Sequence, residues 1–203
     1  RDSNLLWDLG TNGSGHTKYS RGGDGRLTLK GAVRELLATE FLTSLGVPTS
    51  QTFSIIETEE ELQRNDEPSP TRSAVLIRRS NSHIRIGTFQ RLKYFNEYDN
   101  IALLLNHLNK NYFTNIKSKK SLKILAENIF LESVKRIAES MGRIVIAGFV
   151  HGVLNTDNFN VTGEVFDYGP WRFIEFANTS FTAAYFDNNG RYSFGRQPEA
   201  ALW

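Results

Sequence analysis

The chain has 203 residues, enough for one domain or two small lobes, and its 39% hydrophobic content argues against wholesale disorder. The net charge of +2 is too small to indicate a nucleic-acid partner, and no apolar run reaches the length of a membrane span. The absence of cysteine excludes disulfides and thiolate metal sites and is compatible with a reducing compartment. With no recognisable signal peptide, we expect a cytoplasmic protein, or a mitochondrial one if the source is eukaryotic. Because the chain starts without Met and ends abruptly, we expect a truncated fragment of a longer protein.

The first half of the chain combines a glycine-rich segment, a helix and strands. Residues 5–26 are rich in glycine and polar side chains, which excludes a plain helix and permits close backbone approach to a ligand. A helix is predicted at residues 27–45, where apolar residues recur at helical spacing and Gly46 and Pro48 provide a stop signal. Two β-branched runs then predict strands, joined by a charged loop or hairpin at residues 58–72. The predicted strands are residues 52–57 and 74–79.

The second half is mainly helical. Helical periodicity predicts one helix at residues 98–108 and a longer one at residues 121–148. The lysine-rich break at residues 117–120 is interpreted as a solvated loop, because nucleic-acid binding would require interleaved aromatic side chains. A short strand is predicted at residues 161–166, with Gly163 interrupting it.

The order of these elements predicts an α+β fold. A strand-rich part precedes a helix-rich part, and the boundary falls near residues 88–97. The chain then divides into an N-terminal segment at residues 1–92 and a C-terminal segment at residues 93–203.

The polar loop at residues 151–158 carries the clearest indication of chemistry. In this loop Asp157 and Asn158 are adjacent, and Asp167 follows nine positions after Asn158. Asp157 is suited to orient or deprotonate a hydroxyl, while Asn158 and Asp167 offer the oxygen ligands that Mg²⁺ prefers. Protein kinases hold their metal with a catalytic-loop Asn and a following Asp in this way. Alternatively, the polar residues of the loop only shape a turn.

Three further features are candidates for a role at the same site. His151 follows an apolar run without a second histidine nearby, and is interpreted as a structural histidine bonded to a backbone carbonyl. Arg78 and Arg85 are seven positions apart, which suits a strand–turn–strand that brings two guanidinium groups to a triphosphate. A solvated basic face is the alternative for these arginines. Asp24, between two glycines, either meets a nucleotide or orders the glycine-rich loop.

Seven blocks of the sequence, in order along the chain, resemble the selenoprotein O family. The blocks are residues 19–26, 34–35, 46–49, 82–87, 151–158, 167–170 and 190–194. The resemblance implies a protein-kinase-like bilobal fold of the pseudokinase type, with a strand-rich N-terminal lobe and a helical C-terminal lobe. It also implies protein adenylylation, in which AMP passes from ATP, bound in an inverted orientation, to a Ser, Thr or Tyr hydroxyl of a protein.

The resemblance also implies a role for individual positions. Asp157 is then the catalytic base, and Asn158 and Asp167 bind Mg²⁺ or Mn²⁺. The positions implied to contact the nucleotide are Asn12, Asp24, Gly25, Arg78, Arg85 and Asp167. Glu35 corresponds to the partner of the nucleotide-binding lysine, but this chain has Asn12 where the family has that lysine, and Lys18 lies beyond the glycines.

The sequence thus predicts a nucleotide-dependent protein adenylyltransferase whose partners are ATP and proteins that carry Ser, Thr or Tyr. No nucleic-acid or membrane partner is expected. The activity is expected to be impaired, both because Asn12 cannot supply the positive charge of a lysine and because the chain is expected to be truncated. The competing hypothesis is a catalytically inactive nucleotide-binding or scaffold module.

Overall fold

The computed structural model describes residues 6–18, 20, 22–116 and 121–202. The lysine-rich break predicted at residues 117–120 lies outside the described residues, as do positions 19 and 21 of the first family block. Within the described part the chain forms a mixed α+β structure. Its strands are β1 (Asp8–Asn12), β2 (Leu27–Thr28), β3 (Gln51–Leu62), β4 (Thr71–Ser80), β5 (Phe149–Val150) and β6 (Arg172–Phe173). Its helices are α1 (Leu29–Ser44), α2 (Ile86–Tyr94), α3 (Tyr98–Asn111), α4 (Leu122–Ile146) and α5 (Gln197–Leu202), the last preceded by a 3₁₀ turn at Phe194–Arg196.

Strand β4 is the centre of an antiparallel sheet. Strand β3 pairs along the whole of one edge, while β1 pairs with residues 76–80 and β2 with residues 73–74 of the other edge. The two short strands therefore lie end to end. The glycine-rich segment leaves the sheet after Asn12 and rejoins it at Leu27, so it is a loop that projects from one edge of the sheet.

Helix α1 covers one face of this sheet. Its first turn is capped by Thr28, whose hydroxyl accepts a hydrogen bond from the Gly31 N–H at 3.0 Å. It ends at Gly46, which has a φ of +73°. On β4 the side chains at positions 74, 76, 78 and 80 are buried, and Ala32 of α1 packs against Ala74 and Leu76. The helix predicted at residues 27–45 is confirmed.

The larger core joins α1 to the C-terminal part of the chain. Ala38 and Leu42 of α1 pack with Met141 and Ile144 of α4 and with the buried Phe149. A second core cluster is formed by α3 and α4. The helices predicted at residues 98–108 and 121–148 are confirmed as α3 and α4.

Several details of the secondary structure differ from the sequence predictions. Both strands of the β3–β4 hairpin are longer than predicted, and they leave only residues 63–70 as the connection. Strand β1 and helix α2 were not predicted. The strand predicted at residues 161–166 is wrong, because Gly163, with a φ of +96°, lies in a tight turn with only isolated bridges beside it.

No helix in the described part of the chain is long and apolar enough to span a membrane.

Candidate active site

An ion-pair cluster lies between the sheet and the segment after α4. Asp167 Oδ1 is 2.6 Å from Arg78 Nη1 on β4, and Asp167 Oδ2 is 3.1 Å from Arg85 Nη2. The two arginines were predicted to reach one site from a strand–turn–strand, and both guanidinium groups do contact the Asp167 carboxylate. However, Arg85 does not lie in a second strand: it is the residue that precedes the first turn of α2.

The cluster keeps Asp167 ionised. Burial alone would raise the pKa of its carboxyl, but the positive charges of Arg78 and Arg85 outweigh burial and hold the pKa below its ordinary value. The backbone of Asp167 is left-handed, with a φ of +59°, which is uncommon for a residue other than glycine. Such a conformation persists only where the surroundings enforce it.

Glu35 of α1 lies behind Arg78. Its side chain is buried, and burial raises the pKa of its carboxyl to about 7, although Arg78 opposes the shift. Arg78 is only 5% exposed, pairs directly with Asp167, and is close enough to Glu35 for the two charges to interact. The cation beside Glu35 is thus Arg78 of β4.

The loop at residues 151–158 is built around His151. The ring is fully buried, its Nε2 lies 3.1 Å from the carbonyl oxygen of Phe166, and its Nδ1 accepts from the Val153 N–H at 3.3 Å. Burial lowers the pKa of His151 to about 4, so the ring is neutral and Nε2 carries the proton given to Phe166. The interpretation of His151 as a structural histidine is confirmed. It ties the loop to the segment that ends at Asp167.

Asn158 and Asp167 lie on the two arms of a tight hairpin. The Phe166 N–H donates to the Asn158 carbonyl at 3.2 Å, and the Asn160 N–H donates to the Glu164 carbonyl at 2.9 Å. The side-chain nitrogen of Asn158 donates to the Val153 carbonyl oxygen. Because the nitrogen is used in this way, the side-chain oxygen remains as the acceptor that a cation would use.

The donor set fits a hard divalent cation. Asn158 contributes an amide oxygen and Asp167 a carboxylate, both of them oxygen ligands of the kind that Mg²⁺ takes. The described residues gather no group of three or more His, Cys, Asp or Glu side chains that would hold a metal by themselves. A cation here would therefore need further oxygens from a ligand.

Asp157, in the loop at residues 151–158, packs against the first turn of α2. Its backbone N–H donates to Asn155 Oδ1 at 2.9 Å, and the Gly87 N–H donates to the Thr156 carbonyl at 2.9 Å. A Cβ built on Gly87 would overlap Oδ1 of Asp157. The first turn of α2 thus contains a glycine because the carboxylate occupies the space of a side chain.

Asn12 and Asp24, both predicted to contact the nucleotide, lie in different parts of the structure. Asn12 ends β1, and its backbone pairs with Leu76 two positions before Arg78 on β4, so the Asn12 side chain projects on the sheet face that carries Arg78. Asp24 instead lies by the β3–β4 hairpin, with Oδ2 2.8 Å from Arg64 Nη1.

Gly25 has a structural reason to be glycine. Its φ is +70°, and an added Cβ would overlap the carbonyl group of Gly15. The Gly15 N–H donates to the Gly25 carbonyl at 3.0 Å. Asp24 and Gly25 therefore fix the base of the projecting loop.

The full sequence, residues 1–203, matches the family described as protein adenylyltransferase SelO. The chain belongs to the SelO family. The protein nucleotidyltransferase YdiU of Synechocystis sp. is 52% identical over 198 residues, which are 98% of this chain and 42% of that protein. YdiU of Trichormus variabilis is 53% identical over 98% of this chain and 40% of its own length, and YdiU of Clostridium perfringens is 38% identical over 97% and 39%. The chain spans about two fifths of the length of the curated relatives that it matches.

The structure adds positions of this SelO family chain to which the sequence assigned no separate role. Gly87 makes room for Asp157, and α2 places its first turn against the loop that carries Asp157. Phe166 lies under both arginines, with its ring centroid 5.4 Å from Arg78 Cζ and 4.7 Å from Arg85 Cζ. The motif that contains Gly87 was recognised, but only the packing of α2 on the loop shows why a glycine stands there.

Proposed function

We propose that this chain is the nucleotide-binding and catalytic part of an ATP-dependent protein adenylyltransferase. The observation that carries the proposal is the convergence of Arg78 and Arg85 on Asp167, beside the hairpin that carries Asn158. Membership of the SelO family supports the same chemistry. Two guanidinium groups that already bind a carboxylate have the geometry to bind phosphate oxygens.

We further propose that these elements form the site of a kinase-like bilobal fold. In that arrangement β1, α1 and β4 belong to the N-terminal lobe, and α3, α4 and the hairpin at residues 158–167 belong to the C-terminal lobe. The support is the sheet with one covering helix, the buried Glu35 on that helix, and an Asn and an Asp on a tight hairpin. ATP would lie between the sheet and the hairpin.

Each residue then has a distinct task in the transfer. Arg78 and Arg85 bind phosphate oxygens and fix the orientation of the triphosphate. Asp157 accepts the proton of a Ser, Thr or Tyr hydroxyl as its oxygen attacks the α-phosphorus, and the bond from the α-phosphorus to the bridging oxygen breaks to release pyrophosphate. Asn158 and Asp167 would hold Mg²⁺ or Mn²⁺, which when bound neutralises charge on the phosphates.

The decisive experiment uses ATP labelled at either end. The full-length protein and this chain are incubated with α-labelled or γ-labelled ATP and an acceptor protein. Label transferred from the α-position alone is expected for adenylylation. Label transferred from the γ-position alone would overturn the proposal in favour of phosphorylation.

Asn12 favours a second candidate function, a nucleotide-binding module without catalysis. A neutral amide in place of lysine removes one positive charge from the sheet face that bears Arg78. The same experiment separates the two: tight ATP binding without transfer of either label supports the binding module.

Replacing Gly87 by alanine tests the position of Asp157. The new methyl group would displace the Asp157 carboxylate, so AMP transfer is expected to fall by about tenfold to a hundredfold. The affinity for ATP should stay within about twofold, because the arginines do not contact the new methyl group. Transfer kinetics and ATP titrations measure the two effects.

Gly142→Ala is the matched control for this variant. An added Cβ at Gly142 in α4 meets no atom within 4 Å, and transfer should be unchanged. Equal transfer by Gly87→Ala and the wild-type chain would remove Asp157 from the role of base in this geometry.

A further inference from the structure

Both oxygens of Asp167 are already engaged. Oδ1 accepts from Arg78 at 2.6 Å, and Oδ2 lies 3.1 Å from Arg85. A carboxylate in this arrangement faces a positive charge at each oxygen. The same carboxylate is the strongest metal ligand that the hairpin offers.

The local charge opposes a free cation. At Asp167 the two positive charges of Arg78 and Arg85 face one carboxylate, and the neighbouring ligand Asn158 is neutral. A divalent cation that approaches Asn158 and Asp167 without a nucleotide therefore meets a guanidinium group at each oxygen of its carboxylate ligand.

The two arginines differ in their freedom to move. The Arg78 side chain is 7% exposed, donates to Asp167 at 2.6 Å, and stands on the central strand β4. The Arg85 side chain is 41% exposed and lies at the first turn of α2, over the ring of Phe166. Arg78 is therefore a fixed part of the cluster, and Arg85 is the part that a ligand can draw away.

We propose that Arg85 is a latch that makes metal binding depend on nucleotide binding. Without nucleotide, its guanidinium group occupies Oδ2 of Asp167 and repels divalent cations. A polyphosphate anion gives Arg85 another partner and adds negative charge, so that the cation enters with the nucleotide or after it. The identity of the anion rests on the proposed function, but the exclusion of the cation does not.

The latch predicts opposite effects of one substitution on two separate ligands. Arg85→Ala should bind Mn²⁺ alone about tenfold more tightly than the wild-type chain, because a positive charge has left the metal site. The same variant should bind ATP, in the presence of EDTA, about tenfold more weakly, because a phosphate ligand is gone. Electron paramagnetic resonance of free Mn²⁺ measures the first, and calorimetry measures the second. A variant that was merely misfolded would lose both.

Two further variants test whether the gain of Mn²⁺ binding in Arg85→Ala arises at Asp167. Arg85→Ala combined with Asp167→Asn should lose the Mn²⁺ binding that Arg85→Ala gained. Arg79→Ala is the matched control, since Arg79 is next to Arg78 on β4 but contacts Gln51 and Trp7 instead, and should change neither ligand.

The outcomes are distinct for the latch and for the proposed function. Mn²⁺ binding to the wild-type chain as tight as to Arg85→Ala would overturn the latch, as would retention of that binding in the double variant. If neither metal-free ATP nor ATP with Mn²⁺ binds the wild-type chain, the proposed function fails. In that case a gain of Mn²⁺ binding in Arg85→Ala would still support the latch.

Discussion

Replacing Asn12 by lysine is expected to raise AMP transfer by about a hundredfold or more. Asn12 ends β1 opposite Leu76, on the sheet face where Arg78 follows two positions later. An ammonium group on this face would bind the triphosphate from the side of the sheet. It would place a preorganised positive charge where negative charge develops during transfer.

The surroundings of Asn12 are suited to receive that lysine. Glu35 is buried on α1 over the same sheet face, and its pKa is raised to about 7 because burial outweighs the single nearby arginine on β4. A second cation close to this carboxylate would lower its pKa toward the ordinary range. The carboxylate form would then be held at neutral pH and would orient the lysine.

The measurement is the initial rate of transfer from α-labelled ATP for the wild-type chain, Asn12→Lys and Asn12→Met. Methionine matches the length of lysine without its charge, so it should leave the rate near the wild-type value. Equal rates for the lysine and methionine variants would show that charge at position 12 does not limit transfer. A rise for both would mean that side-chain length, not charge, is the missing feature.

The long helices could be predicted from the sequence, but the buried face of α1 could not. The larger apolar residues at helical spacing include Val33, Leu37 and Phe41, and all three are at least 40% exposed. Apart from Leu42, the buried face is instead made of smaller or polar side chains such as Ala32 and Ala38. Apolar periodicity indicates that a helix has an apolar face. Close packing of the helix on a sheet, however, favours the face whose side chains have the smaller volume.

Those parts of the site that are close in sequence could be predicted, whereas the contacts made by packing of distant segments could not. The hairpin arms of Asn158 and Asp167 are close in sequence, so local turn chemistry already brings them together. The contact of Arg78 with Asp167 spans 89 positions, and only the packing of β4 against the hairpin creates it. Arg85 reaches the same carboxylate because α2 starts there, and α2 was not predicted, since it is only nine residues long and has no side-chain cap to mark its start.

Replacing Arg78 by methionine is expected to lower the free energy of unfolding by about 3–5 kcal/mol at neutral pH. Arg78 is almost fully buried, pairs with Asp167 at 2.6 Å, and interacts electrostatically with the nearby buried Glu35. Its removal leaves two carboxylates near each other with less compensation, and methionine fills the volume without the charge. Urea denaturation followed by circular dichroism measures the loss.

The loss of stability in Arg78→Met should also depend on pH, and the pKa of Glu35 gives the direction of that dependence. Glu35 has a folded pKa of about 7 against an ordinary value of 4.5, so between these values the folded state binds more protons and stability falls as pH rises. Without Arg78 the folded pKa rises further. The fall in stability then continues above pH 7, and the deficit of Arg78→Met should be smallest in acid and largest in mild alkali.

Arg79→Met is the matched control for this loss. Arg79 is the next residue on β4, but its side chain lies on the other face of the sheet, over the exposed ring of Trp7. Its replacement should change the free energy of unfolding by less than about 1 kcal/mol, with no added pH dependence. Arg78→Lys keeps the charge and should recover part of the loss. If Arg78→Met were as stable as Arg79→Met across the pH range, the buried cluster would not be an ionised one, and the two arginines could not act on Asp167 as the proposed site requires.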